Sequence, residues 1–199
     1  CHCLVGSEMC IRDRMNTVSL TLDEINNLAK KTLLANGCDD DTASILSELI
    51  TNAERDGSLS HGLFRLPAYV SGLKSGKING KGKPEIKKIS PSVIKVAGNN
   101  CLAPVVLNKS LPELSKAAKE NGVAVLAINN SHHMAAMWPE TEKLAEDGLV
   151  AFACTSYKPA VAPAGAIKPL FGTNPISFAW PRPGTVSYTH LRAHETVAN

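Results

Sequence analysis

The sequence lacks the usual punctuation of a nucleotide-binding protein. No GxGxxG follows a strand-like run and no Walker-type loop is present, so neither an ordinary dinucleotide fold nor a P-loop is supported. No apolar run approaches the roughly 20 residues that a membrane-spanning helix needs. The net charge of +3 over 199 residues is small, and the lysines are scattered, which argues against a nucleic-acid partner. Cys1, Cys3, Cys10, Cys38, Cys101 and Cys154 show neither a CxxC pair nor a zinc-ligand spacing. A disulfide framework is therefore not expected, and the pattern suits reduced, buried thiols in a cytoplasmic protein. No Ser–His–Asp or Cys–His triad can be argued from order or spacing. What remains is an ordinary globular composition, 44% hydrophobic and 20% charged, in a chain long enough to bury a core.

Neither end reads like the middle. Residues 1–14, CHCLVGSEMCIRDR, have no periodicity and no basic start followed by an apolar run, so they do not form a secretory signal. Met15 directly precedes a helix signal and reads as a native start. At the other end, residues 184–199, the string VSYTHLRAHETVAN comes after a Pro-Arg-Pro-Gly turn and also lacks periodicity. Both segments resemble translated sequencing-adapter read-through and are expected to be non-native; disordered tails are the alternative. On the first reading Cys1, Cys3, Cys10, His2, His190 and His194 carry no function. His61, His132 and His133 are then the native histidines.

Between these ends the chain divides into a helical part, residues 15–83, and an α/β part, residues 84–183. Thr21 and Glu24 form a capping box, and Leu22, Ile25, Leu28, Ala29 and Leu33 follow at helical spacing until Asn36-Gly37. A second helix starts near Asp40 or Asp41, with Ala43, Leu46, Leu49, Ile50 and Ala53 on its inner face. Gly62 to Leu73 reads as a third helix with Leu63, Leu66, Val70 and Leu73 inward; Pro67 must lie in its first turn or kink it. The Gly/Lys-rich stretch from Gly76 to Lys83 marks the boundary. Glu85–Ile89 and Val93–Val96 read as a hairpin about Ser90-Pro91-Ser92. Val105 to Asn121 is helical with an interruption at Pro112. Val123–Ile128, Leu149–Thr155 and Ile176–Trp180 read as buried strands, and Trp138 to Asp147 as a short helix with Pro139 in its first turn.

Three clusters carry chemistry. Ser60-His61-Gly62 opens the third predicted helix, where the dipole tends to lower a histidine pKa and a serine can orient the ring. Arg65 stands one helical turn further on and suits a two-pronged grip on a carboxylate. Acid, relay and carboxylate clamp are what reduction of a 2-oxo or 2-imino acid requires. On spacing alone the same residues also read as a helix cap followed by a surface arginine. Asn129-Asn130-Ser131-His132-His133 lies at a strand end, where open sheets place ligands, and Ala135 and Ala136 would let a flat cofactor approach. A strand-end turn with a buried histidine reads equally well. Adjacent histidines seldom ligate one ion and no third ligand is evident, so no metal site is expected. Gly172-Thr173-Asn174-Pro175 is a turn that would offer the Thr173 hydroxyl at a strand mouth.

SHGLFRLPAYVSGLKSGKING, NNSHHMAAMWPE and PLFGTNPISFAWPRP together, in this order, resemble three motifs of the malate/L-lactate dehydrogenase family, over roughly Met15 to Pro183. The His-His-X-Ala-Ala-X-Trp-Pro form is most similar to the Δ1-piperideine-2-carboxylate/Δ1-pyrroline-2-carboxylate reductase branch. The resemblance implies a non-Rossmann mixed-sheet nicotinamide-binding fold, a homodimer, and hydride transfer between NADP or NAD, NADPH favoured, and a small cyclic 2-imino acid or 2-oxo acid. It casts His61 as proton donor, Ser60 as its relay, Arg65 and Thr173 as substrate contacts, and His133, Met134, Ala135, Ala136 and Met137 as the cofactor-lining stretch. In dehydrogenase relatives the histidine matching His133 is the acid/base, so it too is a catalytic candidate. Many relatives carry Phe-Gly where this chain has Met134-Ala135, which leaves NADPH against NADH open. Dehydrogenation of a 2-hydroxy acid and a non-catalytic binding module are the rival readings. The family's chain continues past Pro183, so the sequence reads as truncated, and the isolated fragment is expected to be neither active nor stable.

Overall fold

A computed structural model describes residues 18–132 and 135–182, together with the backbone of Thr185–Leu191. Helices α1 (Leu22–Ala35), α2 (Asp40–Arg55) and α3 (Leu66–Lys74) come first. A hairpin, β1 (Glu85–Ser90) and β2 (Val93–Ala97), leads into α4 (Ala103–Asn121) and β3 (Val125–Asn129). Then come α5 (Trp138–Glu146), β4 (Ala151–Cys154), β5 (Ile176–Arg182) and β6 (Thr185–Leu191). The expected α/β class, helices first and a mixed sheet after, is observed. Strands β1-β2-β3 form one sheet, antiparallel then parallel, and β4-β5-β6 form a second, antiparallel one.

Local signals place the helices. Thr21 Oγ1 accepts the Glu24 N–H while the Glu24 carboxylate accepts from the Thr21 N–H, which closes the capping box of α1. These bonds also hold the Glu24 carboxyl below its ordinary range. Asp39 caps α2 through the Thr42 N–H. Ile25, Ala29 and Leu33 of α1 meet Ala43, Leu46 and Ile50 of α2, with Leu66 and Tyr69 of α3 and Leu102 and Val105 at the start of α4 closing the core. Leu22 and Leu28, expected inward, are exposed, because the buried stripe of α1 is narrower than the apolar pattern. A second core lies between β2 and α4, around Ile94, Val96, Cys101, Val106 and Ala117.

Three expectations need correction. Pro112 does not interrupt α4, which runs unbroken from Ala103 to Asn121. The continuous apolar run at 123–128 is not a buried strand: among the described residues β3 lies at the edge of its sheet, with Val123 and Val125 exposed and Ala124, Leu126 and Ile128 partly buried against the core between β2 and α4. Likewise β4 and β5 each bury one face, while Phe152, Phe178 and Trp180 are exposed. An apolar run alone does not separate a central strand from a half-covered one. Thr185–Leu191, within the stretch where no periodicity is read, pairs antiparallel with β5.

The glycine/lysine loop between the two parts is stitched to both. Gly80 O accepts from Asp39 N, Asn79 N donates to Asn100 O, and His132 Nε2 lies 2.9 Å from Lys77 O. Cys38 and Cys101 are buried and burial raises both thiols, Cys38 to about 11; Cys154, expected buried, is exposed at the end of β4. Cys1, Cys3 and Cys10 lie outside the described residues. Since the thiolate is the nucleophile, an alkylating reagent near neutral pH is expected to modify Cys154 well before Cys38 or Cys101. Peptide mapping by mass spectrometry checks this, and equal labelling of Cys38 in the folded protein would contradict the packing.

Candidate active site

The segment between α2 and α3 carries the first candidate cluster. Helix α2 ends in a Schellman motif: Ser58 N–H donates to Ala53 O, Gly57 N–H to Glu54 O, and Gly57 sits at φ +72°. The chain then forms two successive 3-10 turns, Leu59–His61 and Leu63–Arg65, before α3 begins at Leu66. The predicted helix start at Gly62 is therefore corrected. Pro67 falls in the first turn of α3, where its missing N–H is tolerated, so the α-helix begins only beside it. His61 therefore does not stand at an α-helix N-terminus, and His61 and Arg65 are not one helical turn apart; each closes its own 3-10 turn.

His61 is buried, and its Nδ1 lies 3.0 Å from Ser60 Oγ and 3.3 Å from Ser58 Oγ. Two hydroxyls thus stand within hydrogen-bond distance of one ring nitrogen. The ring meets Trp138 edge-on, with centroids 6.1 Å apart and planes at 78°. Arg65 is half-buried, and its Nε is buried with no hydrogen-bond partner among the described residues. One turn on, burial pushes the Tyr69 hydroxyl up to about 12, against the opposing effect of the Arg65 guanidinium.

The second cluster follows β3. Residues 129–132 run beside 98–103, with Gly98 N–H on Asn129 O, Asn100 N–H on Asn130 O, and His132 bonded both ways to the Cys101–Ala103 backbone. His132 Nε2, on the Lys77 carbonyl, ties this strand-end turn to the helical part. No group of three or more His, Cys, Asp or Glu side chains placed to hold a metal occurs among the described residues. His133 and Met134 lie outside the described residues. Ala135, Ala136 and Met137 are buried on the approach to α5.

Thr173, in the third cluster, is half-buried. Its segment reaches the first cluster indirectly. Ser177 on β5 bonds Thr141 at 2.7 Å, both fully buried. Thr141 Oγ1 also lies 3.2 Å from the Trp138 carbonyl, and both contacts are satisfied together when Ser177 donates to Thr141. The path runs Ser177, Thr141, Trp138, His61. Ser58 and Trp138 were not among the residues expected at the site. A serine three residues before a histidine has no distinctive spacing, and the Trp138 contact is made only by folding.

The sequence pattern of the malate/L-lactate dehydrogenases matches residues 20–190. The chain belongs to the malate/L-lactate dehydrogenase family. It is 39% identical over 181 residues to Δ1-pyrroline-2-carboxylate reductase 1 of Burkholderia ambifaria, covering 91% of this chain and 53% of that protein. It is 41% identical over 164 residues to a Δ1-pyrroline-2-carboxylate/Δ1-piperideine-2-carboxylate reductase of Pseudomonas putida, covering 82% and 48%. The crystal structure of Δ1-piperideine-2-carboxylate reductase from Pseudomonas syringae superposes with a TM-score of 0.82 at 39% identity, over 88% of this chain and 53% of that one. Malate dehydrogenase from Pyrococcus horikoshii gives 0.81 at 29% identity, over 87% and 50%. The chain spans about half the length of the curated relatives it matches. Among the described residues, no helix in this family member is long and apolar enough to cross a membrane.

Proposed function

We propose that the protein is an NAD(P)H-dependent oxidoreductase that reduces a small cyclic 2-imino acid or 2-oxo acid, with NADPH the favoured donor. The observation that carries the reading is the turn pair itself: a buried histidine with two serine hydroxyls at one ring nitrogen, and in the next turn an arginine whose buried Nε has no partner among the described residues. A substrate carboxylate supplies the two oxygens that such a guanidinium accommodates. His61 delivers a proton to the imine nitrogen or carbonyl oxygen, and Ser60 and Ser58 keep the ring aimed while it does so. A bound nicotinamide supplies the hydride to the carbon that bears the carboxylate. Ala135, Ala136 and Met137 fit such a group, since they bring no charge to the segment and Ala135 and Ala136 add no bulk beyond a methyl. The family resemblance extends the cofactor-lining stretch to His133 and Met134, and Thr173 is proposed to touch substrate.

Cytoplasmic location is part of the proposal, supported by the free buried thiols Cys38 and Cys101. So is a homodimer, supported by the exposed apolar row Phe152, Phe178 and Trp180. The likeness to a malate dehydrogenase favours one alternative, oxidation of a 2-hydroxy acid. The test is direct: the full-length protein is assayed with NADPH and the two cyclic imino acids, and with NADP+ or NAD+ and malate or lactate. Imino-acid reduction is expected to exceed hydroxy-acid oxidation in kcat/KM by roughly tenfold or more. The reverse order would establish the dehydrogenase, and nicotinamide binding without turnover of either class would mark a binding module.

A further inference from the structure

We infer that Glu54 is a positioning residue for the turn pair, acting through the backbone N–H of Leu63 to set where His61 and Arg65 are presented; the inference rests on the reductase reading above. Glu54 stands in the last turn of α2, on a rigid element. Its Oε1 accepts the Leu63 N–H at 2.7 Å. Leu63 opens the second 3-10 turn, so its N–H lies at the joint between the turns. Nearby amides are already used: His61 N–H donates to Ser58 O, Gly62 N–H to Leu59 O, and Arg65 N–H to Gly62 O. A carboxylate anchored on α2 therefore fixes the joint, and His61 and Arg65 flank it on either side.

Gly62 supplies the second, independent observation. A Cβ there would collide with Glu54 Oε1 and come within 2.5 Å of its carboxyl carbon and 2.7 Å of its Cγ. The carboxylate lies flush against the bare α-carbon of a buried glycine. That gives Ser60-His61-Gly62 a physical reason for its third residue: any side chain would push the carboxylate away from Leu63. Glu54 and Gly62 act as one fitting, and neither is assigned contact with substrate.

The test is a double-mutant cycle in the full-length protein, read in kcat, KM for the imino acid and Kd for NADPH. A misplacement of about 1 Å at a reacting group costs up to about a hundredfold in rate, so Glu54→Ala is expected to lower kcat/KM by roughly tenfold or more with NADPH Kd unchanged. Glu54→Gln keeps an oxygen at the same reach and is expected to restore kcat/KM to within about threefold of the parent. Gly62→Ala should cost about as much as Glu54→Ala, and the double variant no more than the worse single one. Additive losses would overturn the inference, as would a Gln variant as impaired as Ala, or an Ala variant with unchanged kinetics. Unfolding of Glu54→Ala instead of a kinetic loss would also overturn it, by making the role structural. His61→Ala, run alongside, separates the two levels. If it keeps full turnover the reading of His61 as proton donor fails, whereas an inactive His61→Ala beside a normal Glu54→Ala removes only the positioning role.

Discussion

Replacing His61 by alanine is expected to remove turnover, by roughly 10²–10⁴-fold in kcat, while leaving NADPH affinity largely intact. The expectation follows from what the ring touches. Its Nδ1 lies within reach of Ser60 and Ser58, and its ring stands T-shaped to Trp138, contacts made before substrate arrives. A group prepared in this way contributes a proton at a defined point instead of binding energy to the cofactor, so its loss falls on kcat. Ser60→Ala is expected to cost much less, since Ser58 Oγ stands 3.3 Å from the same nitrogen and can keep the tautomer and the tilt. Stopped-flow measurement of NADPH oxidation, with a separate fluorescence titration of NADPH binding, tests both parts. Retention of near-parental turnover in His61→Ala would move the acid role elsewhere, with His133 the next candidate.

The readable parts of this chain were those whose physics is local. Thr21 and Glu24 announce the start of α1 because both partners of the capping box lie within four residues. Ser90-Pro91-Ser92 announces the hairpin for the same reason, and Pro139 the first turn of α5. Reading failed where the outcome depends on what packs alongside. Gly62 to Leu73 shows helical spacing of apolar groups, yet its first residues form the 3-10 turn Leu63–Arg65, which satisfies that spacing nearly as well over so short a run. An apolar run at 123–128 states that a strand is present, but its edge position depends on which strands pair, and that is a tertiary fact. The site follows the same division. Ser60, His61 and Arg65 offer acid, relay and clamp by residue type, yet on spacing alone they read equally as a helix cap with a surface arginine, and only the resemblance to the family favours the first. Ser58 became visible only from the bend of the turn, Trp138 only once α5 was packed, and Glu54 only from the approach of its carboxylate to Gly62.

Arg65→Lys is expected to raise KM for the imino acid by roughly 10–100-fold with little change in kcat, the size of one lost charge-assisted hydrogen bond. Lysine keeps the charge and loses the fork. Arginine offers a carboxylate two parallel N–H groups in a fixed plane, whereas an ammonium offers a point charge on a flexible stem. The loss should therefore appear in ground-state binding of the acid, before the proton and hydride move. Stability should go the other way. The Nε of Arg65 is a buried donor that no described residue satisfies, and such a donor costs about 1–3 kcal/mol. Removing it should hold or raise the melting temperature even as substrate binding weakens. A structural arginine would behave differently: its replacement would lower the melting temperature and leave KM nearly unchanged. Measuring both quantities on the one variant therefore decides whether the unsatisfied nitrogen is kept for packing or for a ligand.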